Sequence, residues 1–155
     1  MAYDVVRLPA PNKKAVDLHH LVHNVSKLME LRAGEKNIEF KYVLSLEPIM
    51  VTADEQQLEQ VLINIVKNAM ESIDSKGTIT FNTTGYPKQL IISDTGNGIS
   101  SEHASQLFSP FFSTKKDGQG VGLTLVKEIL LNHDCRFSLQ SVDTHRTEFI
   151  IEFPG

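Results

Sequence analysis

Leu58, Val61, Leu62, Ile65, Ala69 and Ile73 recur at intervals of three and four residues, behind an aspartate at position 54 of the kind that caps helix N-termini. The spacing predicts one long helix from Asp54 to about Asp74, with Gly77 beyond its end. A helix with a single apolar stripe takes its stability from an apolar surface laid against that stripe. At about 100° per residue, Gln57, Gln60, Asn64, Asn68 and Glu71 fall in a polar stripe beside it. Gln and Glu are ordinary on a solvated helix edge. Two Asn residues four apart are less so, because Asn is a poor helix former. Their side-chain oxygens are hard ligands suited to Mg²⁺, which keeps several waters and uses few protein groups. The helix alone leaves a solvated edge and a ligand-facing edge equally open.

The rest of the chain supplies the surface. Residues 1–16 read as an incoming segment and linker, broken by Pro9 and Pro11. Asp17 reads as the cap of a first helix, whose apolar positions are Leu18, Leu21, Val22, Val25, Leu28 and Met29 and whose end is near Gly34. Residues 38–45 alternate as a strand does, and residues 49–51 form a short one. After the long helix come strands over 78–83 and 89–94, a short helix near 101–107 and a loop rich in Gly, Lys and Ser. A helix over 120–132 and strands over 136–141 and 147–153 complete the chain. This order predicts an α/β (α+β) two-layer sandwich with helices on one face of the sheet.

At 155 residues the chain is one domain with a real core. Its formal net charge of −4, with no basic cluster, argues against a nucleic-acid surface. The single cysteine, Cys135, has no internal disulfide partner, which fits a reducing compartment. No apolar run approaches the roughly 18 residues of a membrane-spanning helix. The expectation is a cytoplasmic fragment without direct membrane contact, whose parent can still be anchored in the inner membrane.

Two further segments carry chemistry. Asp94-Thr95-Gly96-Asn97-Gly98-Ile99 follows the apolar run Leu90-Ile91-Ile92. A carboxylate at a strand end can accept a hydrogen bond from an exocyclic amine, and the glycines let backbone approach a flat ligand. By itself this is also an ordinary turn, since Asp, Asn and Gly are turn residues. Gly118-Gln119-Gly120-Val121-Gly122-Leu123 opens directly into a helix. Backbone N–H groups at a helix start form a phosphate cradle. The segment is neither a Walker A loop nor a dinucleotide fingerprint.

Together and in this order, these segments resemble the ATP-binding domain of the sensor histidine kinases, within the superfamily of gyrase B, Hsp90 and MutL. Gln60 to Ala69 corresponds to the family's N box, Asp94 to Ile99 to its G1 box, Leu107 to Lys115 to its F box and Gly118 to Leu123 to its G2 box. The resemblance covers about residues 17–154. It implies a mixed, mainly antiparallel sheet of about five strands under three helices, with the nucleotide beneath a lid at about residues 99–117. Arg7 to Pro11, followed by Val16-Asp17-Leu18, is similar to the junction in nitrogen-regulatory-type kinases. This implies that residues 1–16 link to an upstream dimerisation domain and that residues 17–155 are the catalytic domain.

The resemblance also implies roles. Asp94 accepts the adenine amino group, supported by Thr147 through water. Asn68 holds Mg²⁺, with Asn64 one turn earlier near the phosphates. Gly96 and Gly98 allow close approach to the base, and Ile99 belongs to the same ATP-binding set. Gly118, Gly120, Val121, Gly122 and Leu123 present N–H groups to the phosphates, and Lys115 reaches the β- or γ-phosphate. ATP-hydrolysing branches typically carry Glu where Asn64 stands, so phosphoryl transfer is expected rather than fast hydrolysis. Glu71 occupies a position that is basic in many members, which shifts weight to Lys115. His19, His20 and His23 lack the acceptor context and read as helix-surface residues, so the acceptor histidine is expected upstream. The implied partners are that upstream domain and a response-regulator receiver domain, in a parent that is a homodimer, while this fragment is a monomer. A serine kinase of the anti-sigma-factor type, or a non-catalytic ATP sensor, is the alternative on the same fold.

Overall fold

The computed structural model describes residues 8–74, 76–96, 119–143 and 146–155. Strand β1 (Lys14–Asp17) leads into helix α1 (Leu18–Glu35), followed by β2 (Ile38–Val43), β3 (Met50–Ala53) and α2 (Glu55–Glu71). The hairpin strands β4 (Gly77–Gly85) and β5 (Lys88–Asp94), helix α3 (Gln119–Asn132) and strands β6 (Arg136–Asp143) and β7 (Arg146–Glu152) complete the order. The main sheet has five strands in the order β2-β4-β5-β7-β6. Only the β2–β4 pairing is parallel, so the sheet is mixed and mainly antiparallel, as expected.

Each helix forms where the sequence supplies a cap and a stripe. The Asp17 carboxylate accepts from the N–H groups of His19 (2.9 Å) and His20 (3.3 Å), two donors that no helical carbonyl can reach. Leu18, Leu21, Val22, Val25, Met29 and Ala33 are buried beneath α1. Leu28, expected in that stripe, is 61% exposed instead. At 100° per residue it points roughly 90° away from the stripe's centre. Asp54 caps α2 through a bond from Gln57 N–H at 3.2 Å. The α2 stripe is buried as expected, with Ile73 buried just beyond the helix end.

Two boundaries differ from expectation. Lys14–Asp17 is not linker: it pairs antiparallel with Met50–Ala53, and Val16 is buried. The folded unit therefore takes in residues 14–16, which the sequence placed in the linker. Helix α2 stops at Glu71 rather than near Asp74. There Lys36 Nζ donates to the carbonyls of Met70 and Ile73, both at 2.8 Å, in place of further helical N–H groups. The short helix expected near 101–107 lies outside the described residues.

The helix-facing side of the sheet is built in rows. Phe81, Ile92 and Phe149 are paired neighbours and buried, as are Thr83, Leu90 and Ile151. The next row, at the end of β5, is Ile79, Asp94 and Thr147, all buried. The apolar sheet face thus ends in a carboxylate and a hydroxyl.

Candidate functional site

Asp94 occupies the last position of β5, on the same face as Leu90 and Ile92, and is 6% exposed. A buried carboxylate needs donors. Its Oδ1 accepts from Gly96 N–H at 2.9 Å and lies 3.1 Å from Ser72 Oγ, just past the end of α2. Thr147, on β7, is its direct partner in the antiparallel ladder. The structure therefore brings these two expected site residues together.

The turn after Asp94 is clamped on both sides. Thr95 N–H donates to Thr78 O at 3.2 Å, and Thr95 Oγ1 accepts from Thr78 N–H at 3.0 Å. Gly96 sits hard against the end of α2. A Cβ there would stand 2.3 Å from Ser72 Oγ and 2.6 Å from Ser72 O. Glycine is required at this position for space, because a backbone carbonyl cannot swing aside.

Asn64 and Asn68 both lie half-buried on α2, and among the described residues neither amide has a hydrogen-bond partner. Half-buried amides without partners are suited to a ligand. Glu71, one turn on, is exposed. Among the described residues no cluster of three His, Cys, Asp or Glu side chains is placed to hold a metal.

Gly120, Val121 and Gly122 fall in the first turn of α3, and Leu123 is buried. The first N–H groups of a helix have no carbonyl within it, and they carry the positive end of its dipole. Helix α3 packs on α2. His133, at the C-terminal end of α3, ties the two helices together. Its Nε2 accepts from Asp54 N–H at 3.0 Å and its Nδ1–H donates to Ile129 O at 2.8 Å. The Asn12 N–H bond holds the Asp54 carboxyl below its usual range, against an opposing effect of burial and with help from the Gln57 and Gln56 amides and His133. Gly98, Ile99, Lys115 and Gly118 lie outside the described residues, as does the Leu107 to Lys115 segment.

Of the three early histidines, His20 and His23 are exposed. His19 is half-buried, with Nε2 2.9 Å from Thr83 Oγ1. Ser72 and Lys36 were not singled out by the sequence. A serine at a helix end and a lysine in a turn carry no local signal of what they meet.

Among known protein families, the histidine kinase-, DNA gyrase B-, and HSP90-like ATPases match residues 53–155. The chain belongs to this ATPase family. Sporulation kinase C of Bacillus subtilis (strain 168) is 33% identical over 144 residues, covering 91% of this chain and 34% of that protein. The catalytic domain of histidine kinase ThkA superimposes with a TM-score of 0.82 at 29% identity, covering 92% of this chain and 95% of that one. ThkA in complex with the response regulator protein TrrA matches with a TM-score of 0.83 at 27% identity, over 99% of this chain and 45% of that one. The chain spans about a third or less of the length of the curated relatives it matches. The fold is that of a histidine kinase catalytic domain, and the domain is of an ATP-binding ATPase family. Among the described residues no helix is long and apolar enough to cross a membrane.

Proposed function

We propose that the chain is the catalytic and ATP-binding domain of a two-component sensor histidine kinase, delivering the γ-phosphoryl group of ATP to a histidine on a separate dimerisation domain. The observation that carries this reading is the buried Asp94 carboxylate facing Thr147 at the end of the helix-covered sheet, inside a family of ATPases. Asp94 accepts the exocyclic amine of adenine, and Thr147 supports that contact. Gly96 seats the turn against Ser72 and gives its N–H to the Asp94 carboxylate that meets the base. Gly98 and Ile99 belong to the same ATP-binding set. Gly118, Gly120, Val121, Gly122 and Leu123 hold the phosphates through their N–H groups, and Lys115 adds a point charge to them.

Asn68 would hold Mg²⁺ through its side-chain oxygen, with Asn64 near the phosphates. A half-buried neutral amide with no described partner fits a hard cation that keeps most of its waters. Bound there, the ion supplies neutralisation of charge on the phosphates. Asn64 has no basic oxygen with which to activate water, so the domain favours transfer to an acceptor over hydrolysis. The named neighbours are histidine kinases, and ThkA is seen with a response regulator. By analogy the partners are an upstream dimerisation domain in a homodimeric parent and a receiver domain. The nitrogen-regulatory-type subgroup and a linker at the N-terminal end belong to the same reading.

Titration calorimetry of the chain with ATP and Mg²⁺ tests it. In Asp94→Asn the Gly96 N–H and Ser72 hydroxyl keep the amide oxygen, so the amide NH₂ is turned toward the adenine amine, and ATP is expected to weaken by at least about 10-fold, the cost of a lost and unpaired buried polar contact. Asn68→Ala is expected to abolish the gain in affinity that Mg²⁺ gives. Wild-type affinity in Asp94→Asn would refute the adenine assignment.

A further inference from the structure

Ser72 follows the last residue of α2, with φ −81° and ψ −10°. Its Oγ lies 3.1 Å from Asp94 Oδ1 and 2.8 Å from Ala69 O. A hydroxyl has one proton and can satisfy one of these acceptors fully. Directed at Ala69, the proton would leave two oxygens facing each other at hydrogen-bond distance. Directed at the carboxylate, it makes a charge-assisted bond, the stronger kind. The anion therefore takes the larger share of the proton.

Three further contacts make this bond a fixed reference. Gly96 N–H donates to the same Oδ1 at 2.9 Å, so that oxygen is held from two directions. The Cα of Gly96 rests against Ser72, where a Cβ would come within 2.6 Å of the serine carbonyl oxygen. Lys36 Nζ holds the carbonyls of Met70 and Ile73, on either side of Ser72, at 2.8 Å each. The backbone that carries the hydroxyl is thus pinned from the α1–β2 turn. A carboxylate with one oxygen held this way cannot rotate about its Cβ–Cγ bond without losing both donors.

We propose that Ser72 is a positioning residue for base recognition: its hydroxyl sets the plane of the Asp94 carboxylate and thereby the selectivity for purines bearing a 6-amino group. The proposal rests on Asp94 as the adenine acceptor and adds the group that aims it.

The experiment measures affinities of the whole chain, with Mg²⁺, for ATP and for purine riboside triphosphate, which has hydrogen in place of the 6-amino group. Ser72→Ala is expected to weaken ATP by about 3- to 10-fold, the range of one hydrogen bond, and to leave purine riboside triphosphate within about 2-fold. Ser72→Cys, a weaker donor of similar shape, is expected to lose at least half of that selectivity. Equal weakening of both ligands would show a purely structural role and overturn the proposal. So would unchanged ATP affinity in Ser72→Ala, or full selectivity in Ser72→Cys. A wild type that binds both ligands equally would instead remove Asp94 as the amine reader, and the proposal with it.

Discussion

Gly96→Ala probes the junction on which the candidate base site depends. The added Cβ would sit 2.3 Å from Ser72 Oγ, 2.6 Å from Ser72 O and 2.8 Å from Ser72 C. The first contact is with a small side chain, but the other two are with backbone held by Lys36. Either the turn after Asp94 lifts off α2 or the end of α2 moves. Overpacking of this kind costs about 1–3 kcal/mol. For a domain of this size, each kcal/mol lowers the melting temperature by about 2–4 °C, so the expected drop is about 2–12 °C. ATP affinity falls as well, because the turn bears the Gly96 N–H that holds Asp94 Oδ1. The matched control is Gly34→Ala in the last turn of α1, where a Cβ would meet nothing within 4 Å. There the same change is expected to stabilise by about 0.5–1 kcal/mol through helix propensity. Combining Gly96→Ala with Ser72→Ala removes only the 2.3 Å contact and should restore little of the loss. Thermal melts and calorimetry of the three variants and the wild type decide it. A Gly96→Ala protein that melts with the wild type, or a double variant that recovers fully, would refute the packing argument.

Lys36→Met removes the cation bound to two carbonyls at the negative end of α2. It is expected to cost about 1–3 kcal/mol in urea unfolding, with a matching loss of ATP affinity, since Ser72 lies between those carbonyls. Burial, with a smaller contribution from Asp134 and a partial offset from Lys13, pushes the Cys135 thiol up to about 12 from 9.0. The unfolded thiol then ionises first, so the stability from this group is complete below pH 9 and falls as pH rises from there toward 12. At pH 8 the native thiol is expected to react with iodoacetamide far more slowly than the same thiol in urea; equal rates would contradict its burial.

Much of the fold was legible because its signals are local. The caps at Asp17 and Asp54 act within three residues, and the α2 stripe is written in its own periodicity. What escaped is set by distant partners. Strand β1 has four residues, of which only Val16 is buried, so no alternation marks it; it exists because Met50–Ala53 offers a ladder. The end of α2 is set by Lys36, more than thirty positions earlier in the chain. Leu28 shows the converse, an apolar residue at a plausible interval on the wrong side of its helix. The site divides the same way. Asp94 and Gly96 advertised themselves through turn chemistry, whereas Ser72 became meaningful only once the end of α2 was seen against Gly96.

Thr147 joins the two kinds of information. Nothing in its own neighbourhood marks it as a site residue, and the family resemblance alone named it. Its placement nevertheless follows from the pattern of its strand. Thr147, Phe149 and Ile151 alternate along β7, and the two apolar residues must face the helices to be buried. A slip of one residue would turn both toward the open face of the sheet and take Thr147 with them. Burying Phe149 beside Ile92 and Ile151 beside Leu90 therefore fixes the register, and the register sets Thr147 opposite Asp94. The polar end of the sheet face is aimed by the apolar residues behind it, so a substitution such as Phe149→Ala should loosen base recognition as well as the core.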